Sequence, residues 1–398
     1  MKVFSLNTVC GTGSTGRIAA DIARLLARRG HSCKIGYGRG TAPGDIDGYR
    51  VGTDLDMRLH GVYTRLTDRH GFASAAATRR LIQVIEEYAP DLIHLHNIHG
   101  YYLHIPTLFD WLAAAGCPVV WTLHDCWAFT GHCSHYDLVN CNRWQTGCHD
   151  CPQKKEYPAS LFRDASSRNY RDKQRYFNQV KEMTLVTPSD WLADEAGKSF
   201  LKSYPVRVIR NGIDLEAFCP RETGGVADRL SLRGKRIILG VANVWNRRKG
   251  LEDFAALARL LDETWKIVLV GLTEGQVKNL PEGIMGLTRT ESLAELAELY
   301  SLAEVFVNPT QEDNFPTTNL EALACGTPVI TYPSGGSPEG IDETCGAVTC
   351  SKNPAAILEI LNRDRTGWTK ENCQTRARQF DRWPNYARYL ELYTEIIS

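Results

Sequence analysis

Short apolar runs alternate with longer stretches of helical periodicity through nearly the whole chain. Residues 2–9, 30–37, 91–96, 119–123, 184–189 and 206–214 read as strands. Residues 17–29, 55–89, 106–116 and 159–181 read as helices, the last strongly polar. After a polar stretch at 220–234 the alternation restarts, with strands at 236–243 and 266–271 and helices at 251–261 and 291–302. A further strand begins at Glu304, a helix near Thr317 and another strand at Pro328. Residues 331–339 give one more strand and glycine turn leading to a helix start. Strand–helix alternation of this kind predicts parallel sheets covered by helices on both faces. The expected class is therefore α/β, with two doubly wound Rossmann-like domains facing a cleft. The expected boundaries are 1–205 for the first domain and 206–376 for the second. Residues 366–398 are helical, with Trp383, Tyr386, Tyr389 and Tyr393 spaced to bury one face. Residues 377–398 are expected to return to the N-terminal domain.

Composition narrows the class. At 398 residues the chain exceeds one ordinary core. Its 46 basic and 46 acidic side chains cancel, which argues against a nucleic-acid partner. No apolar run is long enough to span a bilayer, and Met1-Lys2-Val3-Phe4 enters a strand without a signal-peptide profile. The expected location is cytoplasmic. The arginines of 55–89 (Arg58, Arg65, Arg69, Arg79, Arg80) suit a solvated helical face or a peripheral contact with anionic lipid at the inner face of the plasma membrane.

Five of the 13 cysteines lie in the 26 residues from Cys126 to Cys151. In a reducing compartment, such clustering favours metal over disulfides. Cys133, Cys141, Cys148 and Cys151 could form a closed structural zinc site stapling a Cys-rich insert, 126–152, that lacks its own core. Free or redox-active thiols and a disulfide pair are the other readings.

Candidate chemistry gathers where strands end. Cys10-Gly-Thr-Gly-Ser-Thr-Gly16 is a Gly-rich turn whose backbone could approach a phosphate at a helix N-terminus. Its glycines do not fit the dinucleotide spacing. His94, His96 and His124-Asp125 close neighbouring strands and would face the crevice where α/β ligands bind. Arg247, Arg248 and Lys249 lie after a strand and before a helix, where they could neutralise a diphosphate without a metal. Asp313 occupies a polar turn and Glu321 the helix that follows. The amides from Asn314 to Thr318, through Phe315, Pro316 and Thr317, lie over that helix's positive end. A plain helix cap is the simpler reading of the same turn.

Together these stretches resemble family 4 retaining glycosyltransferases of the GT-B fold. The likeness rests on Asn211-Gly-Ile-Asp214, Arg248-Lys-Gly250 and the run Asp313-Asn-Phe-Pro-Thr-Thr-Asn-Leu-Glu-Ala-Leu-Ala-Cys-Gly-Thr-Pro-Val-Ile330. The runs Thr122–Cys133 and Trp144–Pro152 look like the branch that builds bacterial exopolysaccharides, including the colanic-acid transferases. The resemblance implies transfer of a hexosyl group from a UDP- or GDP-sugar to a glycan or lipid-linked acceptor. Configuration would be retained and no divalent metal required. It implies that Glu321 binds the ribose hydroxyls, Asp313 faces the donor sugar and Lys249 holds the diphosphate. His124 would contact the sugar near the reacting carbon, with Gly13 and Ser14 closing over the phosphates. There are two departures. The first motif carboxylate is Asp rather than Glu, and Asn243 stands where the family has a phosphate-binding Arg, a role that falls to Arg247 or Arg248. The alternatives are a GT-B nucleotide-sugar epimerase, a phosphorylase carrying pyridoxal phosphate, and a non-catalytic glycan-binding module.

Overall fold

Thirteen strands pair entirely in parallel and form two sheets. In the computed structural model, which describes residues 1–398, they belong to two units: Met1–Arg210 with Trp383–Ser398, and Asn211–Arg382.

The first unit runs β1 (Lys2–Val9), α1 (Gly13–Arg28), β2 (Ser32–Arg39), β3 (Asp47–Arg50), α2 (Asp54–Thr67), α3 (Ala75–Tyr88) and β4 (Leu92–Leu95). It continues through α4 (Ile105–Ala115), β5 (Val119–Thr122), α5 (Ser166–Phe177), β6 (Met183–Thr187), α6 (Asp190–Lys198) and β7 (Val206–Val208). The strand order is β3-β2-β1-β4-β5-β6-β7. All residues of β4 and β5 are buried, as expected for strands covered on both faces. The chain winds outward from β1 through β2 to β3, then returns to lay β4 on the other side of β1. That reversal between β1 and β4 is the topological switch point, where the loops diverge and leave a crevice.

The second unit holds α7 (Gly224–Arg229), β8 (Arg236–Val241), α8 (Leu251–Ala258), β9 (Trp265–Val270), α9 (Glu274–Lys278), β10 (Ile284–Leu287) and α10 (Leu293–Leu302). There follow β11 (Val305–Asn308), α11 (Thr317–Ala324), β12 (Val329–Thr331), β13 (Gly346–Val348), α12 (Pro354–Leu361) and α13 (Lys370–Arg378). Its order, β10-β9-β8-β11-β12-β13, puts the switch point between β8 and β11. The last helix, α14 (Arg382–Ile397), packs Tyr386, Tyr389, Leu392 and Tyr393 against Val3, Ile22, Leu26 and Val120 of the first unit.

Several elements differ from the sequence reading. The stretch 55–89 is two helices, broken where Asp68, Gly71 and Ser74 adopt positive φ. The polar helix shrinks to Ser166–Phe177, because 151–165 is held in turns. Periodicity missed the edge strand β3 and the short helix α7, neither of which carries a clear apolar pattern.

The Cys-rich insert also departs from expectation, because it does not lack a core. Trp127, Phe129, Tyr136 and Trp144 join the main hydrophobic cluster of the first unit. Buried polar contacts tie the insert down further. Lys173 Nζ donates to the carbonyls of Trp127 (2.7 Å) and Thr130 (3.0 Å) and lies 3.5 Å from the Trp127 ring centroid. His132 Nδ1 meets Asp68 Oδ1 at 2.5 Å, and Tyr136 donates to Glu195.

Candidate functional site

In the second unit, the candidate residues fall on the two loops that flank the switch point. After β8 the chain makes a single 3₁₀ turn, Arg247–Lys249, capped by Asn246, whose Oδ1 accepts the Lys249 amide at 3.1 Å. Gly250 follows at φ +76 and starts α8; a Cβ there would lie 2.4 Å from the Pro309 carbonyl oxygen. Only glycine fits both the backbone angle and that approach. The loop after β11 packs on this turn. Gln311 donates its amide to the Arg248 carbonyl (2.8 Å), and Arg248 Nη1 donates to the Glu312 carbonyl (3.1 Å). Lys249 Nζ reaches Asp313 Oδ2 at 2.5 Å, with side chains 23% and 15% exposed. This pair joins residues 64 apart in sequence. Arg247 and Asn243 are exposed on the same loop.

From Asp313 the backbone passes Asn314 and Phe315 to Pro316, and α11 begins at Thr317. Asp313 Oδ1 accepts the Asn314 amide at 3.0 Å, so its carboxylate is shared between a backbone donor and an ammonium. No side chain caps α11, which leaves amides of its first turn available at the helix's positive end. Glu321 lies one turn inside, 4% exposed, and its Oε2 accepts the Tyr300 hydroxyl at 2.9 Å. A carboxylate this buried requires such a donor. Asn319 fixes the helix to its neighbours: its Oδ1 accepts from Asn308 Nδ2 (2.8 Å), and its Nδ2 donates to the Ser337 carbonyl (3.2 Å).

In the first unit, the Gly-rich turn follows β1 and becomes the start of α1. Gly11 and Gly13 take positive φ, and the Gly11 amide donates to the Gly16 carbonyl at 2.9 Å. Gly13 is exposed and Ser14 half-buried, at the N-terminal end of α1. Asn7 links this loop to the one after β4, because its Oδ1 accepts the Asn97 amide at 3.2 Å.

His94, His96 and His124 lie in a row, with the His94 and His96 ring centroids 3.9 Å apart. The innermost, His94, has both nitrogens engaged: its Nε2 pairs with Thr122 Oγ1 (2.8 Å) and its Nδ1 with the Tyr393 hydroxyl (2.7 Å). It is a buried tie to α14, which corrects the expectation that it faces the crevice. His96 and His124 stack 5.3 Å apart with a 13° interplanar angle, and His96 Nδ1 meets His124 Nε2 at 3.0 Å. Burial pushes His124 down to about 4 despite the pull of Asp125, so the ring is neutral at pH 7. Asp125 Oδ2 pairs with His99 Nε2 at 2.9 Å, while His99 Nδ1 meets the Tyr157 hydroxyl at 3.0 Å. Burial works against the Asp125 anion, but the nearby His99 prevails and holds that carboxyl down at about 2.

Three of these partners escaped the sequence reading. Tyr300 lies in a helix that reads as ordinary packing. His99 occurs in a loop without a recognisable pattern, and Tyr157 comes from a segment 58 residues further on. No local signal could have found them.

The four cysteines Cys133, Cys141, Cys148 and Cys151 do line one small cavity, together with His132 and Trp144. The zinc expectation nevertheless finds no support. No three Cys, His, Asp or Glu side chains stand in an arrangement that could hold a metal ion. Cys148 accepts the Gly131 amide at 3.1 Å, and no disulfide joins any of the cysteines. The insert is held by its aromatic core and the Lys173 and His132 contacts instead.

Comparisons with known proteins agree with this architecture. Residues 15–217 match the model of Glycosyltransferase Family 4, and residues 235–363 that of Glycosyl transferases group 1. A putative colanic acid biosynthesis glycosyl transferase, WcaC of Escherichia coli K12, is 26% identical over 90% of this chain and 90% of its own. The D-inositol 3-phosphate glycosyltransferase of Corynebacterium jeikeium is 25% identical over 83% of this chain and 79% of its own. Among solved structures, the sucrose-phosphate synthase of Thermosynechococcus elongatus superposes with a TM-score of 0.70 at 19% identity. That match covers 99% of this chain and 98% of that one. WaaG, a glycosyltransferase involved in lipopolysaccharide biosynthesis, gives 0.67 at 17% identity, covering 98% and 99%. The fold is therefore that of the GT-B glycosyltransferases, and the chain belongs to Glycosyltransferase Family 4.

Proposed function

We propose that this glycosyltransferase moves a hexosyl group, with retention, from a nucleoside-diphosphate sugar to a glycan or lipid-linked acceptor of a bacterial surface polysaccharide. The observation that carries this reading is the Lys249–Asp313 pair at the β8/β11 switch point, beside the uncapped start of α11. A bound diphosphate would compete with Asp313 for the Lys249 ammonium and release the carboxylate toward the sugar. As the glycosidic bond lengthens, negative charge builds on the leaving diphosphate. Lys249, Arg248, Arg247 and the amides around Thr317 are the groups proposed to stabilise it, in place of a divalent metal. Glu321, oriented by Tyr300, is assigned to the ribose hydroxyls. Asn314, Phe315 and Pro316 supply the backbone beneath the donor. Gly13 and Ser14 are assigned to the phosphates and His124, neutral at pH 7, to the sugar.

His124 suits hydrogen bonding rather than charge, and Asp313, once released by Lys249, is still held by the Asn314 amide and is assigned to contact the sugar rather than to attack it. The reading therefore has no covalent nucleophile: the acceptor hydroxyl attacks on the face the phosphate leaves, and that phosphate takes its proton. Similarity to WcaC across both chains supports the surface-polysaccharide setting. Anabaena HepE, solved in complex with UDP and with UDP-glucose, shares the fold at 15–17% identity, which makes UDP-sugars the first donors to test.

The test is a panel of UDP- and GDP-sugars scored for protection against thermal unfolding, followed by nucleoside diphosphate release with acceptor present. One donor should raise the melting temperature, and Lys249→Ala should cut its turnover by roughly 10²-fold or more. Full transfer by Lys249→Ala would sink the assignment. Conversion of the donor sugar without acceptor would instead identify an epimerase.

A further inference from the structure

The first unit exposes an apolar stripe that the reaction does not use. Helix α2 buries Met57, His60 and Thr64 against the fold. Its opposite side carries Leu55, Leu59, Val62 and Leu66, which are 64%, 59%, 54% and 47% exposed. At roughly 100° per residue these four fall within about 60° of one another, so they form one stripe along the helix. Leu161 and Phe162, 61% and 74% exposed, extend it. The Leu161 amide donates to the Arg65 carbonyl at 2.8 Å, which fixes that loop at the C-terminal end of α2. Seven of the 14 exposed large hydrophobic residues in the chain lie here, counting Tyr63. Scattered surface leucines are ordinary; a contiguous stripe opposite a helix's packed side is not.

Charge indicates what covers it. Arg58 and Arg65 flank the stripe on one side, and Arg163 follows Phe162; all three are exposed and none forms a salt bridge. The nearby acids are mostly engaged: Asp54 pairs with Arg50, Asp56 caps α2 through Thr53, and Asp164 accepts the Cys151 and Ser166 amides. Glu156 is the exposed exception. Exposed aliphatic and aromatic side chains bordered by unpaired arginines complement an anionic bilayer surface, where the apolar groups enter the acyl boundary and the cations meet headgroup phosphates.

We propose that the outward face of α2, with the Leu161–Phe162 loop, docks the protein on an anionic lipid bilayer. The proposal is independent of the donor and of the transfer reaction. No helix is long and apolar enough to cross a membrane, so attachment is by this surface contact.

Co-sedimentation of the full chain with phosphatidylglycerol-containing vesicles, against phosphatidylcholine vesicles alone, tests it. The wild type should pellet with the anionic vesicles and bind the neutral ones roughly tenfold more weakly or worse. Leu59→Glu/Phe162→Glu should lose binding to both. Arg58→Ser/Arg65→Ser should lose the preference for anionic lipid, with unchanged melting temperatures showing that both variants fold. A wild type that stays in the supernatant, or a Leu59→Glu/Phe162→Glu variant that pellets equally well, overturns the proposal. So does a wild-type dimer in size-exclusion chromatography that this variant turns into a monomer, since the face would then be an interface between copies.

Discussion

Lys249 and Asp313 hold each other in a half-buried position, so neither is an idle surface charge. An exposed pair contributes little; under the proposed function the worth of this one is pre-organisation, with the ammonium held ready for the diphosphate. Replacing Asp313 by Glu restores the longer carboxylate of the resembling family. It should change the preference among donor sugars more than their protection of the fold, measured as relative turnover across the UDP-sugar panel. Tyr300 is the corresponding support for Glu321. Tyr300→Phe leaves a buried carboxylate oxygen short of a donor and should cost about 1–3 kcal/mol in urea unfolding. It should also weaken donor protection. A variant as stable and as well protected as the wild type would remove Tyr300 from the site.

At the scale of elements, one glycine decides whether the cationic turn can exist. Gly250→Ala must accommodate both φ +76 and a methyl 2.4 Å from the Pro309 oxygen. Backbone strain of this kind costs about 1–3 kcal/mol. Because relief would displace Lys249, the variant should lose donor protection beyond its loss of stability. The helix α14 has a similar single dependence. Tyr393→Phe removes the donor to His94 inside the first unit, and a loss of about 1–3 kcal/mol is expected from denaturant titration. No loss would mean that α14 packs by its apolar face alone.

For the whole molecule, the buried histidines set the response to acid. Burial lowers His60 and His94 to about 3 and His124 to about 4, with His70 and His96 also well below the usual range. The unfolded chain binds these protons near pH 6.5 and the folded one only near 3–4, so stability is full above 6.5 and drains as the pH falls through that window. His132 works the other way, because Asp68 raises it against the opposing effect of burial; its contribution is present below 6.5 and fades above. The urea midpoint should therefore drop clearly between pH 7 and pH 5. A flat profile over that range would contradict the neutral, buried assignment of these rings.

The order of elements was legible because it is written locally. Apolar runs such as Ile237–Leu239 and Val305–Val307 are buried on both faces whatever surrounds them, and the spacing of Trp383, Tyr386, Tyr389 and Tyr393 marks one face of α14 at any location. The same holds for the positions of Gly13, Lys249, Asp313 and Glu321, since each follows a strand end that periodicity reveals. Partnership was not legible. Lys249 meets Asp313 across 64 residues, His99 meets Tyr157 across 58, and His94 meets Tyr393 across 299, each contact made by tertiary packing rather than by spacing. The Cys-rich insert shows the limit most plainly: its cysteine pattern suggested a metal staple. Burial of Trp127, Phe129 and Trp144 in the shared core, which no local pattern records, is what holds it. Sequence alone determined which segments fold and where polar groups can gather, because those depend on neighbours along the chain. Tertiary structure decided which of those groups touch, because that depends on the winding of the sheets.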